Sequence, residues 1–244
     1  MKGAFMMEVL GNKICESLAI LVQPELTSKS VRVIESADGA HLYADDTEIL
    51  HFHGETVVKI CLPNIKDING GWFASNATRG LQIVDLPNAV HFGDGTLINA
   101  DSLVTINMPN VKETGRDCLK KSLVLKNFKA ESLVKTSDGF LASAPQLETI
   151  DAENLKYTGH FCFVEVPFLR TVKLPHFKSG GTYLLFYGKT LKTICLPEAV
   201  SLSNWTLSNQ TALSKVDFPM LKMGGNNCHP MIYEAIHRNK IKSK

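Results

Sequence analysis

Leucine recurs every 22 residues through most of this chain, at Leu81, Leu103, Leu125, Leu147, Leu169, Leu191 and Leu213. A fixed period of that length decides architecture before any local element is assigned, because each period is one structural unit that packs against copies of itself. Val57 opens an eighth unit, with a 24-residue step to Leu81. Counted from the first residue of each unit, position 4 is apolar (Ile60, Val84, Ile106, Phe128, Ile150, Val172, Ile194, Val216), and position 6 is apolar as well (Leu62, Leu86, Met108, Ala130, Ala152, Leu174, Leu196, Phe218). Alternation at a period of two predicts a short strand with one face inward. Six of the eight units place proline at position 7, which removes a ladder donor and ends the strand. Position 9 returns to the core, and position 17 is apolar again (Leu97, Leu119, Leu141, Phe163, Leu185, Leu207). Glycine at position 13 (Gly93, Gly115, Gly159, Gly181, Gly225) is expected to supply a turn at positive φ.

A single unit buries too few side chains to offset the ordering of its own backbone, so the units must stack. The predicted fold is therefore a β-rich repeat solenoid, a leucine-rich-repeat right-handed superhelix. It has one continuous parallel β-sheet on one face, a wall of turns on the other, and short helical caps. The solenoid is expected over residues 57–223. Residues 1–56 are read as an N-terminal cap with degenerate repeats. Met6, Leu10, Ile14, Leu18 and Leu21 suggest a helix near residues 5–20, and the segments Val31 to Ile34 and Ile49 to Phe52 look like strands. Residues 224–244 are read as a closing helix with a basic tail. Pro230 suits a first helical turn, and Met231, Ile232, Ala235 and Ile236 form an apolar face.

The pattern Leu-x-x-Ile-x-Leu-Pro, an apolar residue, a glycine turn and a late Leu or Phe, resembles the BspA-like or Treponema-type leucine-rich repeats over about residues 57 to 223. That resemblance implies a binding solenoid, since many such proteins are surface or secreted ligand-binding proteins of bacteria and protists.

Composition narrows the function classes. Lys and Arg number 26 against 24 Asp and Glu, and Arg238, Lys240, Lys242 and Lys244 crowd the end, so the body without them is slightly acidic. Such a body has no broad attraction for phosphate backbones, so no nucleic-acid partner is expected. No run of about 20 apolar residues predicts a membrane span. No classical export signal is read at the start, so the expected location is cytoplasmic, or exported without a classical signal peptide. The six cysteines lack CxxC spacing and are expected to be small buried thiols. His51 and His53 share a strand face but lack a third ligand. No phosphate-binding, nucleophile-elbow or zinc-protease motif occurs, so neither cofactor nor catalytic residues are predicted.

Candidate binding residues come from geometry. Positions 3 and 5 of the strand point outward, and equivalents on adjacent coils lie about 4.8 Å apart. Two readings compete for these rows: Thr suits a strand surface and Lys129, Asp151 and Lys173 simply neutralise one another, or Thr105, Asn107, Asn127, Lys129, Thr149, Asp151, Thr171, Lys173 and Thr193 form a mixed polar recognition face for a protein partner. Phe161, Tyr183 and Trp205 share position 15 and should stack. Core filling is the default expectation for them; exposure would mark a protein or carbohydrate contact. Oligomeric state is not legible. The functions in competition are a protein-binding module, an exported effector or surface-associated virulence factor acting by binding, with residues 1–30 as a candidate secretion address, and a small enzyme.

Overall fold

A computed structural model describes residues 31–36, 39–44, 57–68 and 80–242. The helix expected near residues 5–20, the strand expected near Ile49 to Phe52, and His51 and His53 lie outside them. The described chain is a stack of coils with three hydrogen-bonded walls and one apolar interior.

The first wall carries the predicted strands, Val57–Cys61, Ile83–Asp85, Thr105–Asn107, Asn127–Lys129, Thr149–Asp151, Thr171–Lys173, Thr193–Cys195 and Lys215–Asp217. Pairing is parallel with a shift of one period, so Thr149 sits beside Asn127 and Thr171, and Asp151 beside Lys129 and Lys173. The expectation of one continuous sheet needs correction. Ladder pairing lapses between Asn107 and Asn127 and again between Lys173 and Thr193, leaving three bonded groups. The strands flanking both lapses are only three residues long, so each has little ladder to keep. At the N-terminal edge, Gly39–Ala44 pairs in parallel with Val57–Cys61, and Val31–Ser36 folds back antiparallel onto Gly39–Ala44. The described part of the N-terminal region is thus a hairpin added to the first wall.

The second wall was not anticipated. Two-residue strands at positions 11 and 12, from Asp67–Ile68 to Met223–Gly224, form an eight-stranded parallel ladder. This wall is the continuous one. Its position-12 residues face inward, as Phe92, Thr136 and Leu202 illustrate.

The third wall is built from backbone that sequence propensities disfavour. Positions 15, 17 and 19 hold positive φ in coil after coil, including Leu119 at 56°, Phe163 at 55° and Trp205 at 62°. Bulky residues adopt such angles at a steric cost. Here every second N–H reaches a neighbouring coil: Phe161 donates to the Thr182 carbonyl at 2.8 Å, Phe163 to that of Phe140 at 2.9 Å and Glu165 to that of Phe186 at 3.0 Å. These bonds alternate in direction along the stack, which ties each coil to both neighbours and offsets the strain.

The position-13 glycines also play a different role from the expected one. Among the described residues only Gly95 and Gly139 are glycines at positive φ. Gly115, Gly159, Gly181 and Gly225 instead let adjacent backbones touch, since a Cβ on Gly115 would lie 2.5 Å from the Asp94 nitrogen and 2.6 Å from the Gly93 carbonyl carbon.

Between the walls the interior is mostly apolar, with Thr96, Ser122, Thr136 and Gln210 among the few buried polar side chains described. Leu147, Leu169 and Leu191 are at most 1% exposed and fill one column. Phe128, Phe140 and Phe163 pack edge to face with centroids 5.4 and 5.7 Å apart. The C-terminal end is closed by α1 (Pro230–Lys242), whose Ile232 and Ala235 are buried while Met231 and Ile236 pack on the same core. This helix is the expected cap.

Candidate binding surfaces

The predicted residues lie where the pattern put them. Thr105, Asn107, Asn127, Lys129, Thr171, Lys173 and Thr193 are exposed, and Thr149 and Asp151 are half-buried at the centre. The stack brings Asn127, Thr149 and Thr171 into one ladder and Lys129, Asp151 and Lys173 into the next. Thr105 and Asn107 pair instead with Ile83 and Asp85, and Thr193 with Lys215.

Neighbouring side chains on this face satisfy one another. Asn107 Nδ2 donates to Asp85 at 2.6 Å, Thr149 Oγ1 to Asn127 at 2.8 Å, and Lys173 Nζ meets Asp151 at 3.3 Å. Lys129 departs from the expected neutralisation: its ammonium turns to Glu131 at 2.6 Å, and that hydrogen bond pushes its pKa up. Glu131 replaces proline at position 7 of this coil, and a carboxylate two residues away on the same chain is closer than one on the next coil. These exposed pairs contribute little to stability. What they do is link neighbouring side chains along and between the coils.

The aromatic ladder does not fill the core. Phe161, Tyr183 and Trp205 stack nearly parallel, with centroids 4.9 and 5.6 Å apart and interplanar angles of 11° and 2°. Phe161 is 48% exposed, and Tyr183 and Trp205 are half-buried. Their left-handed backbone carries the rings outward from the third wall. Phe186 supports them edge-on, 5.3 Å from Tyr183 and 6.3 Å from Trp205. Beside them an open groove of about 610 Å³ runs across four coils between Leu123, Pro145, Pro167 and Tyr187. A smaller pocket of about 260 Å³ lies under Phe161. The spacing of the three aromatics was legible; the direction their rings take was not.

The thiols follow their burial. Cys118, Cys162 and Cys228 occupy position 16, and each Sγ lies 3.1 Å from a position-13 carbonyl of the preceding coil. Burial pushes Cys118 up to about 12 and Cys162 up to about 11. Cys61 is half-buried and Cys195 exposed, contrary to the expectation of uniformly buried thiols, because both sit at the outward position 5. Iodoacetamide at pH 8 is therefore expected to label Cys195 in the folded protein and to reach Cys118 and Cys162 only after denaturant is added, read by peptide mass spectrometry. Labelling of Cys118 as fast as Cys195 would contradict the buried position. No three His, Cys, Asp or Glu groups converge as a metal site among the described residues, and no helix there is long and apolar enough to cross a membrane.

Parallel coils tied through three walls around a leucine column define the leucine-rich repeat class of solenoid. Residues 51–144 and 137–229 match the BspA type leucine rich repeat region, in six copies, and the chain belongs to that family. Among solved structures it is similar to a leucine rich cell surface protein from Faecalibacterium prausnitzii, with 22% identity and a TM-score of 0.57. That match covers 78% of this chain and 53% of the other, so the chain spans about half the length of that protein. It is also similar to the leucine rich repeat protein of T. pallidum, at 14% identity and a TM-score of 0.56, covering 88% of this chain and 95% of that one. Both likenesses concern the fold. No curated protein matches the sequence.

Proposed function

We propose that this chain is a protein-binding module without catalytic chemistry of its own, and that the first wall is its recognition face. The observation that carries the reading is the register of that wall. Thr149 and Asp151 stand on backbone paired from both sides, and Thr171 and Lys173 on the next strand extend the same two ladders, so a partner meets hydrogen-bonding groups already set in register. Membership of the BspA-type family supports a binding role.

Replacing Thr149, Asp151, Thr171 and Lys173 together by alanine tests this. The exposed or half-buried positions predict a melting temperature close to wild type, while capture of the partner protein by the immobilised chain is lost. A variant that melts normally and still captures the partner would rule out this face.

A second reading concerns place. One of the similar structures is described as a cell surface protein, which favours a surface-associated or exported binding protein over a cytoplasmic one. Protease treatment of intact cells is expected to digest the chain, and complete protection would oppose the reading.

A further inference from the structure

The aromatic ladder has a missing rung. Phe161 is stacked on Tyr183 through one face of its ring. On the opposite side the same position of the preceding coil is Gly139, which has no side chain to cover that face. One coil further, position 15 is Asp117, and its carboxylate leans over Gly139 into the space where a side chain would begin. The pocket under Phe161 is this gap, bounded by Asp117, Gly139 and Phe161 with Asp138 and Glu165 at its rim. Adjacent rungs of the ladder are about 5 Å apart, so the opening admits a flat group stacked on Phe161.

Charge selects which flat group. Asp117, Asp138 and Glu165 supply three carboxylates against the single cation of Lys120. Each carboxylate has one oxygen engaged: Asp117 with Lys120 at 2.9 Å, Asp138 with the His160 N–H at 2.7 Å and Glu165 with the Ser143 hydroxyl at 2.8 Å. An aromatic face attracts cations through its quadrupole, and a guanidinium is the biological cation that is both planar and able to bond carboxylates from its edge. We propose that the gap at Gly139 binds the guanidinium of an arginine on a partner protein, stacked on Phe161 and bonded at its edge to Asp117 and Asp138. The apolar groove shares Ser143 and Glu165 with this pocket and accepts the apolar residues flanking that arginine. This site is on a different wall from the proposed recognition face.

The probe is N-acetyl-arginine amide, titrated into the ¹⁵N-labelled full chain. The Gly139 and Phe161 amide signals are expected to move together, with binding on the order of millimolar for so small a contact. Phe161→Leu keeps bulk but loses the flat face, and Asp138→Asn removes a charge; each is expected to weaken the response about fivefold or more, with melting curves confirming the fold. Lys120→Ala removes the competing cation and is expected to tighten binding, an effect that a merely structural role for Asp117 does not produce. The variant with four alanines on the first wall retains the response, so failure of one reading is distinguishable from failure of the other. An equal response to N-acetyl-lysine amide, a stronger one to methyl glucoside, or no movement at Gly139 overturns the proposal.

Discussion

Leu174→Asp is expected to leave the chain unfolded, or melting tens of degrees lower, at neutral pH. Leu174 is 1% exposed at position 6, and its equivalents Ala152 and Leu196 on the adjoining coils are fully buried. No coil places a charge at this position. An unpaired carboxylate there costs several kcal/mol beyond the roughly 2–5 kcal/mol lost in Leu→Ala truncation, against a total stability of about 5–15 kcal/mol for a typical domain. A solenoid passes the loss on, because each coil is stabilised by its neighbours. The pH dependence identifies the cause. Burial raises the folded-state pKa of the new aspartate above its unfolded value of about 3.9, so its destabilisation is full above the folded-state value and shrinks as pH falls toward 3.9. Leu174→Asn has no such titration. The gap in melting temperature between the two variants, followed by circular dichroism from pH 7 to pH 5, should narrow. An aspartate variant that melts within a few degrees of wild type would show that this column is not buried.

Gly115→Ala is expected to lower stability by about 3 kcal/mol, which for a chain of this size is a fall of roughly 6–12 °C in melting temperature. The φ of Gly115 is not positive, so alanine is acceptable to the local backbone; the loss comes entirely from collision. Its Cβ would meet main-chain atoms of Gly93 and Asp94, which cannot rotate away, and its N–H already bonds the Phe92 carbonyl at only 2.6 Å. Ser137 shows how a side chain fits at the same repeat position. Its equivalent bond, to the Thr114 carbonyl, is 3.1 Å, longer than that of Gly115. Gly95→Ala is the contrasting case. A Cβ at Gly95 finds only Ile98, at 3.8 Å, but φ is +69°, so strain alone applies and costs about 1–2 kcal/mol. A larger loss at Gly95 than at Gly115 would show that the close backbone contact is not what position 13 protects.

These variants also mark what the sequence could and could not reveal. The leucine column was legible because a buried side chain at a fixed period leaves a chemical signature: Leu147, Leu169 and Leu191 can hardly be anything else. The C-terminal helix was legible from the proline at its start and the apolar face of Met231, Ile232, Ala235 and Ile236. The second wall was hidden because its strands are two residues long, too short for an alternating pattern. The third wall was hidden for a deeper reason. Its left-handed residues include Leu119, Phe163 and Trp205, and no local preference points there; the conformation is imposed by hydrogen bonds between residues in different coils. The glycines at position 13 were seen and misread, since glycine marks either positive φ or close approach, and spacing alone does not distinguish them. Of the candidate surfaces, the outward rows followed from alternation on the strand. Lys129 was misassigned because a nearby carboxylate on its own chain competed with the cross-coil partner. The exposed ladder was placed in the core because aromatic residues usually belong there.

Position 15 holds Gly95, Asp117, Gly139, Phe161, Tyr183, Trp205 and Asn227, all with φ between 54° and 72°. From Gly95 to Trp205 one backbone shape thus accepts a hydrogen, a carboxylate and three kinds of ring, because main-chain bonds to the next coil set that shape. Exchanging one of these residues changes what is displayed without reopening the question of how the chain folds. Such a scaffold can acquire a new target by single substitutions along one column, as letters are replaced in a frame of movable type.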